Sequence, residues 1–315
     1  MNRFHPTTAQ KDLFGLIRIA FGVVWVINVL LQARSAYLNH FLGYFTPRVA
    51  GQPALIQHYL QWMISLITAI GPKWVALATV VLDALIALSL LTGVAGRLFA
   101  GIGAIYCLWL WTTVGGWGGP YTAGATDPGT AIIYVLVFIC ILLTRAWERY
   151  SLLPASSASV ATDPRLTIRL LFGALWAFDA YWKWQPYFLH HVQDYLVQAQ
   201  AGQPAWIRAY IQLFVDVVHA TGSVAFGVFT AAVETLIALS LLTGRWLKLF
   251  LPLGIAWSLA VWTTAEGWGG PYSPGQTGNR GDMVGSVNIY IFVFLYLMVL
   301  YGSSRAGSAA QRLKS

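Results

Sequence analysis

The sequence predicts an all-α integral membrane protein with eight transmembrane helices, arranged as two parallel four-helix bundle repeats that each carry an amphipathic connector helix. Composition is the first observation behind this fold class: the chain is 57% hydrophobic and only 10% charged, with a mean hydropathy of +0.63. Soluble domains contain about 25% charged residues. The other two observations are a series of apolar windows of about 20 residues and a set of motifs that occurs twice at one fixed spacing.

The repeated motifs divide the chain into two similar halves. GWGGPY, LIALSLLTG and AGQPA each occur twice, and the two copies of every motif are 151 residues apart. Their copies begin at Gly116 and Gly267, at Leu85 and Leu236, and at Ala50 and Ala201. One spacing shared by three motifs is the signature of a tandem duplication. We therefore predict a first four-helix repeat over residues 1–150, a linker over 151–162 and a second four-helix repeat over 163–315.

The eight predicted spans correspond to eight apolar windows, four in each repeat. Each window approaches about 20 residues, the length that crosses a bilayer. The windows cover residues 13–31, 74–92, 97–114, 131–147, 166–185, 224–243, 247–265 and 284–302. Because the number of spans per repeat is even, both repeats enter the membrane from the same side and are parallel.

A long connector follows the first span of each repeat and contains the predicted amphipathic helix. This helix covers Pro53 to Ile70 in the first repeat and Pro204 to Thr221 in the second, with a proline suited to the first turn. Apolar residues recur at helical spacing between polar ones, which is typical of a helix that lies in the membrane interface or caps the bundle. A membrane crossing by this helix is the alternative.

The distribution of basic residues predicts the orientation. Lysine and arginine occur at the N-terminus, in the turns between the second and third windows, in the linker and in the C-terminal tail. Cytoplasmic segments are enriched in these residues. We therefore expect a bacterial or archaeal-type cytoplasmic membrane, with both termini cytoplasmic and the GWGGPY loops outside. The polar N-terminus is unlike a signal peptide, so the first window is expected to remain as a span.

Charge and cysteine patterns argue against several function classes. Despite the net charge of +8, lysines and arginines stand singly between apolar windows, so nucleic acid is not an expected partner. Cys107 and Cys140 lie in apolar stretches without the spacing of a thiol redox pair, a c-type haem or an iron–sulfur cluster. The histidines are too widely spaced for a metal triad. The sequence therefore has no metal, haem or flavin signature.

The candidate site lies in the second repeat, where ionisable residues replace neutral ones. These replacements are Asn28 by Asp179, Gln32 by Lys183, and Gly115 by Glu266 just before the loop motif. On the first helix of each repeat these positions share one face with a tryptophan, Trp25 or Trp176. Ionisable groups in a spanning segment are costly and are functional candidates. We therefore predict that the second repeat carries the working site and that the first is a scaffold.

The FDAYWKWQP run at Phe178–Pro186, the four spans per unit and the GWGGPY loop between the third and fourth spans resemble the DoxX/DoxD family of small membrane proteins. The closest similarity is to the DoxD branch, the membrane subunit of thiosulfate:quinone oxidoreductase, here fused head to tail. The resemblance covers both halves, although the first lacks the charged pair and keeps only Trp25 and the loop. It implies a four-helix bundle per unit, electron transfer from thiosulfate to membrane quinone, and a possible soluble redox subunit.

Applied to this chain, the resemblance suggests two sets of site residues. An external thiosulfate-like dianion would be received by Lys183, Arg208 and Arg280 together with backbone N–H groups of the glycine-rich loop. Asp179 or Glu266 would handle protons as the quinone is reduced. The aromatic slot for the quinone would be lined by Trp176, Trp182, Trp184, Trp268 and Tyr272. Without an electron-carrier signature, direct sulfur-to-quinone chemistry or a partner subunit is required.

Structural interpretations stand beside these roles. Asp179 and Lys183 are four residues apart and could neutralise each other at the membrane edge. Mid-membrane carboxylates and arginines on the first helices predict two structural ion pairs. These pairs are Arg18–Asp83 and Arg169–Glu234. The GWGGPY loop could serve only as a sharp turn with interfacial anchors. Two further functions remain open: a non-enzymatic component that assembles or anchors a redox complex, and a small-solute transporter.

Overall fold

A computed structural model describes residues 4–153, 163–272 and 281–302, and every regular element within these ranges is a helix. In the first repeat the helices are α1 (Thr8–Gln32), α2 (Ser35–Asn39), α3 (Ala54–Ile70), α4 (Pro72–Thr92), α5 (Gly96–Thr112) and α6 (Thr130–Thr144). In the second repeat they are α7 (Pro164–Lys183), α8 (Pro186–Ala199), α9 (Ala205–Thr221), α10 (Ser223–Thr243), α11 (Leu247–Thr263) and α12 (Val287–Gly302).

All eight apolar windows form helices, and three of these helices are long and apolar enough to cross a membrane. These three are α1, α4 and α10, with 25, 21 and 21 residues. Helices α6, α11 and α12 are also apolar but shorter, at 15, 17 and 16 residues. The chain therefore has the character of an integral membrane protein that contacts a lipid bilayer.

Helix boundaries follow from local sequence signals. Thr7 begins α1 with a capping box, in which its hydroxyl accepts from the Gln10 N–H and the Gln10 side chain accepts from the Thr7 N–H. Helices α4 and α10 both end at a glycine, Gly93 or Gly244, which adopts the left-handed conformation with φ of 74°. The connector helices predicted from the amphipathic runs form as α3 and α9.

The second repeat differs from the first in its connector and in the length of one loop. Helix α8 has 14 residues, whereas the first repeat has the five-residue α2 and two 3-10 turns in the same part of the chain. The Trp111 indole donates to the Pro128 carbonyl, and the Trp262 indole donates to the Val284 carbonyl. The donors are 151 residues apart but the acceptors are 156 apart, so the loop before α12 is five residues longer than the loop before α6.

Within each repeat the longer helices pack in pairs, and the two repeats share one core. Helix α1 packs on α4 and α5 on α6, while α7 packs on α10 and α11 on α12. The repeats meet where α12 packs on α6 and on α1. Between α1 and α12 the Phe21 and Phe292 rings are 5.3 Å apart and the Phe14 and Tyr296 rings stack at 5.7 Å. Burial of such aromatic rings is a main source of packing energy.

The loops before α6 and α12 cross over to the opposite repeat. We call residues 113–129 the first loop and residues 264–286 the second loop. The guanidinium of Arg34 in the first repeat donates to the carbonyls of Tyr272 and Gly281 and forms an ion pair of 3.2 Å with Asp282, all in the second loop. In the opposite direction, the Lys183 ammonium donates to the carbonyl of Thr126 in the first loop at 2.7 Å. Each repeat therefore supplies a basic side chain that binds the loop of the other repeat.

Candidate functional site

The GWGGPY loops have the same geometry in both repeats, and their own contacts account for it. The central Trp117 and Trp268 adopt left-handed conformations with φ of 58° and 61°. A buried glutamine of the AGQPA motif, Gln52 or Gln203, donates its side-chain amide to the first glycine carbonyl of the loop. These two hydrogen bonds satisfy backbone carbonyls that would otherwise be buried without a donor. This geometry favours a structural role for the motif.

A cavity of about 400 Å³ lies in the second repeat, enclosed by α7 to α12 and by the first loop. We call it the second-repeat cavity. Its walls are mainly apolar and include the aromatic rings of Trp176, Phe188, Phe229, Trp257 and Tyr290. Ligand pockets of roughly 300–1,000 Å³ with apolar walls and a few convergent polar groups are typical of small-molecule sites.

Asp179 lines this cavity, and one of its two carboxylate oxygens lacks a hydrogen-bond partner. Its Oδ2 accepts a hydrogen bond of 3.0 Å from the Tyr290 hydroxyl, whereas its Oδ1 is buried and has no hydrogen-bond partner. The residue is buried, with 5% of its surface exposed. In the corresponding Asn28 both polar atoms have a partner. Its side-chain nitrogen donates to the Tyr134 hydroxyl, and its oxygen accepts from the Val284 N–H of the second loop. An unpartnered oxygen therefore distinguishes the second repeat from the first.

Lys183 forms its ion pair with Glu234 on α10 and not with Asp179. The Lys183 Nζ lies 3.8 Å from Glu234 Oε2, and both side chains are largely buried. The ammonium also lies 5.2 Å from the centre of the Phe188 ring, in addition to its hydrogen bond to Thr126. The Trp257 indole donates to the other Glu234 oxygen at 3.3 Å. Lys183 is therefore held by partners within the protein.

Glu266 caps the N-terminus of α12 from the end of α11. Its carboxylate accepts from the N–H groups of Ser286 and Val287 and from the Ser286 hydroxyl. A carboxylate at this position also interacts favourably with the helix dipole. Burial nevertheless raises the pKa of Glu266 to about 7, against the opposing effect of these hydrogen bonds. Glu266 combines a structural cap with a carboxyl group that titrates near neutral pH.

The charges of the second-repeat cavity favour some ligands over others. Four carboxylates line it, from Asp127, Asp179, Glu234 and Glu266, and Lys183 is the cation among the described lining residues. Such a site repels a dianion. Its apolar walls suit a flat neutral molecule, and its carboxyl groups can exchange protons with that molecule.

Several predicted binding residues lie away from this cavity. Trp182 stacks on Tyr121 of the first loop, and Trp184 is 44% exposed with its indole bonded to Thr235. The other predicted binding residues that do not line the cavity belong to the second GWGGPY loop, to the surface of α9 or to the part of the chain outside the described residues. Trp268 packs against Trp262, Tyr272 bonds back to the Trp268 carbonyl, Arg208 is exposed, and Arg280 lies outside the described ranges. Trp176, Asp179, Lys183 and Glu266 do line the cavity together.

The two predicted arginine–carboxylate ion pairs are wrong. Arg18 donates to the carbonyls of Arg149 and Tyr150 beside Gly93, and Asp83 instead accepts from the Tyr106 hydroxyl. Asp83 and Gly93 are separated by ten residues of helix, about 15 Å along the axis, which is beyond the reach of the arginine.

The same displacement occurs in the second repeat. Arg169 packs against Gly244 at the end of α10, and Glu234 is paired with Lys183. Since both arginines lie at the end of the bundle where α4 and α10 terminate, their guanidinium groups are near helix C-terminal carbonyls, which attract cations.

Sequence reasoning assigned no ligand-binding role to three groups that line the second-repeat cavity: Tyr290, Trp257 and the Thr126–Asp127 segment. Tyr290 and Trp257 lie within apolar windows and carry no distinguishing signal. Thr126 and Asp127 belong to the opposite repeat, which the sequence predicts to be a scaffold. Among the described residues, no group of three or more histidine, cysteine, aspartate or glutamate side chains is arranged to hold a metal ion.

The first repeat also encloses a cavity, although it was predicted to be only a scaffold. This first-repeat cavity has a volume of about 450 Å³ and lies between the first connector, the first loop and the start of α6. Arg48, Gly115 and Thr130 are among its lining residues, and Asp282 of the second loop closes one side.

Comparisons with family models, with curated proteins and with solved structures find no match for this chain.

Proposed function

We propose that the protein is the membrane subunit of a quinone-linked sulfur oxidoreductase, and that the quinone head group binds in the second-repeat cavity. The observation that carries this proposal is the unpartnered Oδ1 of Asp179, a residue that lines a cavity with mainly apolar and aromatic walls. A quinone carbonyl would accept a hydrogen bond from the protonated carboxyl, while its flat ring would pack on Trp176 and Tyr290.

The proposed reaction balances without a resident electron carrier. Two thiosulfate anions each give up one electron and join through a new sulfur–sulfur bond to form tetrathionate. The quinone takes up the two electrons and two protons and becomes a quinol. The chain supplies the binding site and relays the two protons from water, and a soluble redox subunit is the proposed partner.

Protons would reach the quinone through the carboxyl groups around it. Asp179 lines the cavity and accepts a hydrogen bond from the Tyr290 hydroxyl. Glu266 lines the same cavity, and its pKa of about 7 suits the uptake and release of protons near neutral pH. Lys183 would act indirectly, because its ion pair holds the Glu234 carboxylate at the wall. In this scheme Asp179 and Glu266 are the proton-transfer residues and Lys183 is a positioning residue.

The proposal includes the finer topology. Eight spans would consist of α1, α4, α5 and α6 and their counterparts α7, α10, α11 and α12. The apolar character of α6, α11 and α12 supports this assignment, since tilting and local thinning of the bilayer accommodate different lengths. The distribution of basic residues supports cytoplasmic termini and external loops. Family resemblance to DoxX/DoxD proteins, and to the DoxD branch in particular, supports the same topology and the same chemistry.

The test is thiosulfate-dependent reduction of a soluble quinone analogue by the purified chain. Asp179→Asn is expected to lower the rate at least about a hundredfold, which is the scale of a lost proton donor. Asp83→Asn is the matched control, because Asp83 is a buried spanning carboxylate of the first repeat that lines neither cavity described above. The control should retain the wild-type rate.

Binding of the quinone analogue is measured separately from its reduction, by quenching of tryptophan fluorescence. Retained binding with lost turnover in Asp179→Asn would support a role in proton transfer. Wild-type turnover in Asp179→Asn would remove the assigned site. A folded wild-type chain that neither binds nor reduces the analogue would contradict the enzyme and favour an anchoring or assembly role.

A further inference from the structure

One side of the second-repeat cavity is formed by residues that are also exposed on the outside of the helices. Val217 of α9, Phe229 of α10 and Ala260 of α11 all line the cavity, and all three are exposed. The exposed fraction is 46% for Val217 and 54% for Phe229. Side chains that border both a cavity and the exterior lie where the cavity opens. The second-repeat cavity therefore has an opening between α9, α10 and α11.

This opening lies beside apolar stretches of helix. Helix α10 is long and apolar enough to cross a membrane, and α11 is apolar as well. At 1.5 Å per residue, Phe229 is about 9 Å from the first residue of α10, Ser223, and Ala260 is about 5 Å from the last residue of α11, Thr263. Since consecutive α10 and α11 run in opposite directions, these two helix ends lie at the same side of the bundle. The opening therefore faces the lipid a short distance below the membrane surface.

Two contacts frame the opening. At the end of α11 a hydrogen bond of 2.9 Å between the Tyr210 and Thr263 hydroxyls joins α9 to α11. About one turn before Ala260, the Trp257 ring packs edge-on against the Phe229 ring, with 5.8 Å between the ring centres. Ala260 lies between these two contacts and contributes only a methyl group. The smallest side chain of the frame is thus at its centre.

The first repeat has two aromatic rings where the second repeat has this space. The positions 151 residues before Leu196 and Ala260 are Phe45 and Trp109. In the first repeat the Phe45 and Trp109 rings contact each other at 6.4 Å, and Trp109 also stacks on Tyr106 at 6.0 Å. In the second repeat both Leu196 and Ala260 line the cavity. Replacement of two rings by leucine and alanine accounts for the space beside α11.

The side of the cavity next to the first loop is covered. The Tyr195 hydroxyl of α8 donates to the Gly124 carbonyl at 3.0 Å, and the Lys183 ammonium donates to the Thr126 carbonyl at 2.7 Å. These hydrogen bonds hold the loop against α7 and α8. The opening toward the lipid is therefore the more direct route for an apolar ligand.

We infer that the second-repeat cavity takes its ligand from the lipid through the opening between α9, α10 and α11, and that Ala260 keeps this opening wide enough for an apolar tail. This inference rests on the proposed function, because it assigns the head group of a quinone to the cavity beside Asp179 and its tail to the path across Val217 and Phe229. Lipid is as apolar as these side chains, so the tail gains little free energy by contacting them. The opening therefore decides whether a tailed quinone fits, and Ala260 is a specificity-determining residue.

The test compares two quinones that share one head group, added to the purified full-length chain in detergent. Decylubiquinone carries an alkyl tail, and dimethoxymethylbenzoquinone has none. Binding is measured as the rise in unfolding temperature with quinone concentration, a readout that an added tryptophan does not disturb. The wild type is expected to bind both quinones.

Ala260→Trp restores the tryptophan of the first repeat. It should weaken the binding of decylubiquinone at least about tenfold relative to the tailless quinone, because the new ring occupies the path of the tail. Ala256→Trp is the matched control, since Ala256 is exposed on α11 about one turn earlier and does not line the cavity. The control should bind both quinones as the wild type does.

Val217→Trp narrows the same opening from α9 and should select against the tail in the same way, so it decides the question if Ala260→Trp does not fold. Equal weakening of both quinones in the folded variants, or unchanged binding of decylubiquinone, would overturn the inference and leave the quinone site in place. A folded wild type that binds neither quinone would remove the proposed function and this inference with it.

Discussion

Replacement of Glu266 by glutamine is expected to remove a pH dependence from the stability of the fold. Burial raises the pKa of this carboxyl from 4.5 to about 7 in the folded protein. At about 1.4 kcal/mol for each pH unit, this difference corresponds to at most about 3.5 kcal/mol in the free energy of unfolding. The magnitude is large compared with the net stability of roughly 5–15 kcal/mol that is typical of proteins.

The sign follows from proton binding. The folded protein holds this proton more tightly than the unfolded chain does, so between pH 4.5 and about 7 the folded state binds more protons. The contribution of Glu266 is therefore most favourable below pH 4.5 and is lost progressively as the pH rises to about 7. Glutamine keeps an oxygen for the Val287 N–H but does not titrate, so the variant lacks this dependence.

The assay is denaturant unfolding of wild type and Glu266→Gln in detergent at several pH values from 4.5 to 8. The difference between the two proteins isolates Glu266, because all other titrating groups are common to both. Wild type should lose stability relative to the variant by up to about 3 kcal/mol across this range. A constant difference, or a gain in wild-type stability with rising pH, would refute the reasoning and mean that the cap at α12 keeps the carboxyl ionised.

Four further substitutions test the packing in the second repeat. Lys183→Gln and Glu234→Gln should each destabilise the fold by about 3 kcal/mol, because breaking a buried ion pair leaves one charge uncompensated. The double variant should lose less than the sum of the two. Additive losses in denaturant unfolding would show that the pair is not coupled. Gly254→Ala should cost about 1–3 kcal/mol, since its Cβ would collide with the Phe294 ring; an unchanged unfolding temperature would contradict this contact. Gln203→Leu should cost about 1–3 kcal/mol by leaving a buried loop carbonyl without its donor, and thermal stability equal to wild type would count against that role of the glutamine.

The helices were predictable because apolar windows are bounded by strong local signals. LIALSLLTG ends in a glycine in both repeats, and the glycines at 93 and 244 do terminate α4 and α10. The sequence does not predict helix α8, because the segment from Pro186 to Ala199 mixes histidine, glutamine and aspartate with apolar residues and resembles a connector. Its apolar face becomes evident only where it packs on α9 and α10.

The positions of the site residues were more predictable from the sequence than the partners with which they pair. Spacing along α7 indicated Asp179 as the neighbour of Lys183, but the lysine side chain reaches across to Glu234 on α10. A helical period identifies residues on one face and contains no information about which neighbouring helix lies opposite. The charge difference between Glu266 and Gly115 was visible in the sequence, whereas the backbone groups that it caps were not.

The exchange of loops between the repeats has a consequence for biosynthesis. Arg34 and its acceptor Gly281 are separated by 247 residues, and translation at roughly 5–20 residues per second takes roughly 12–50 seconds to cover that distance. During this interval the arginine has no second loop to bind, and the wall of the first-repeat cavity that Asp282 supplies does not yet exist. The first repeat, although made first, therefore reaches its final form only after most of the second repeat has left the ribosome.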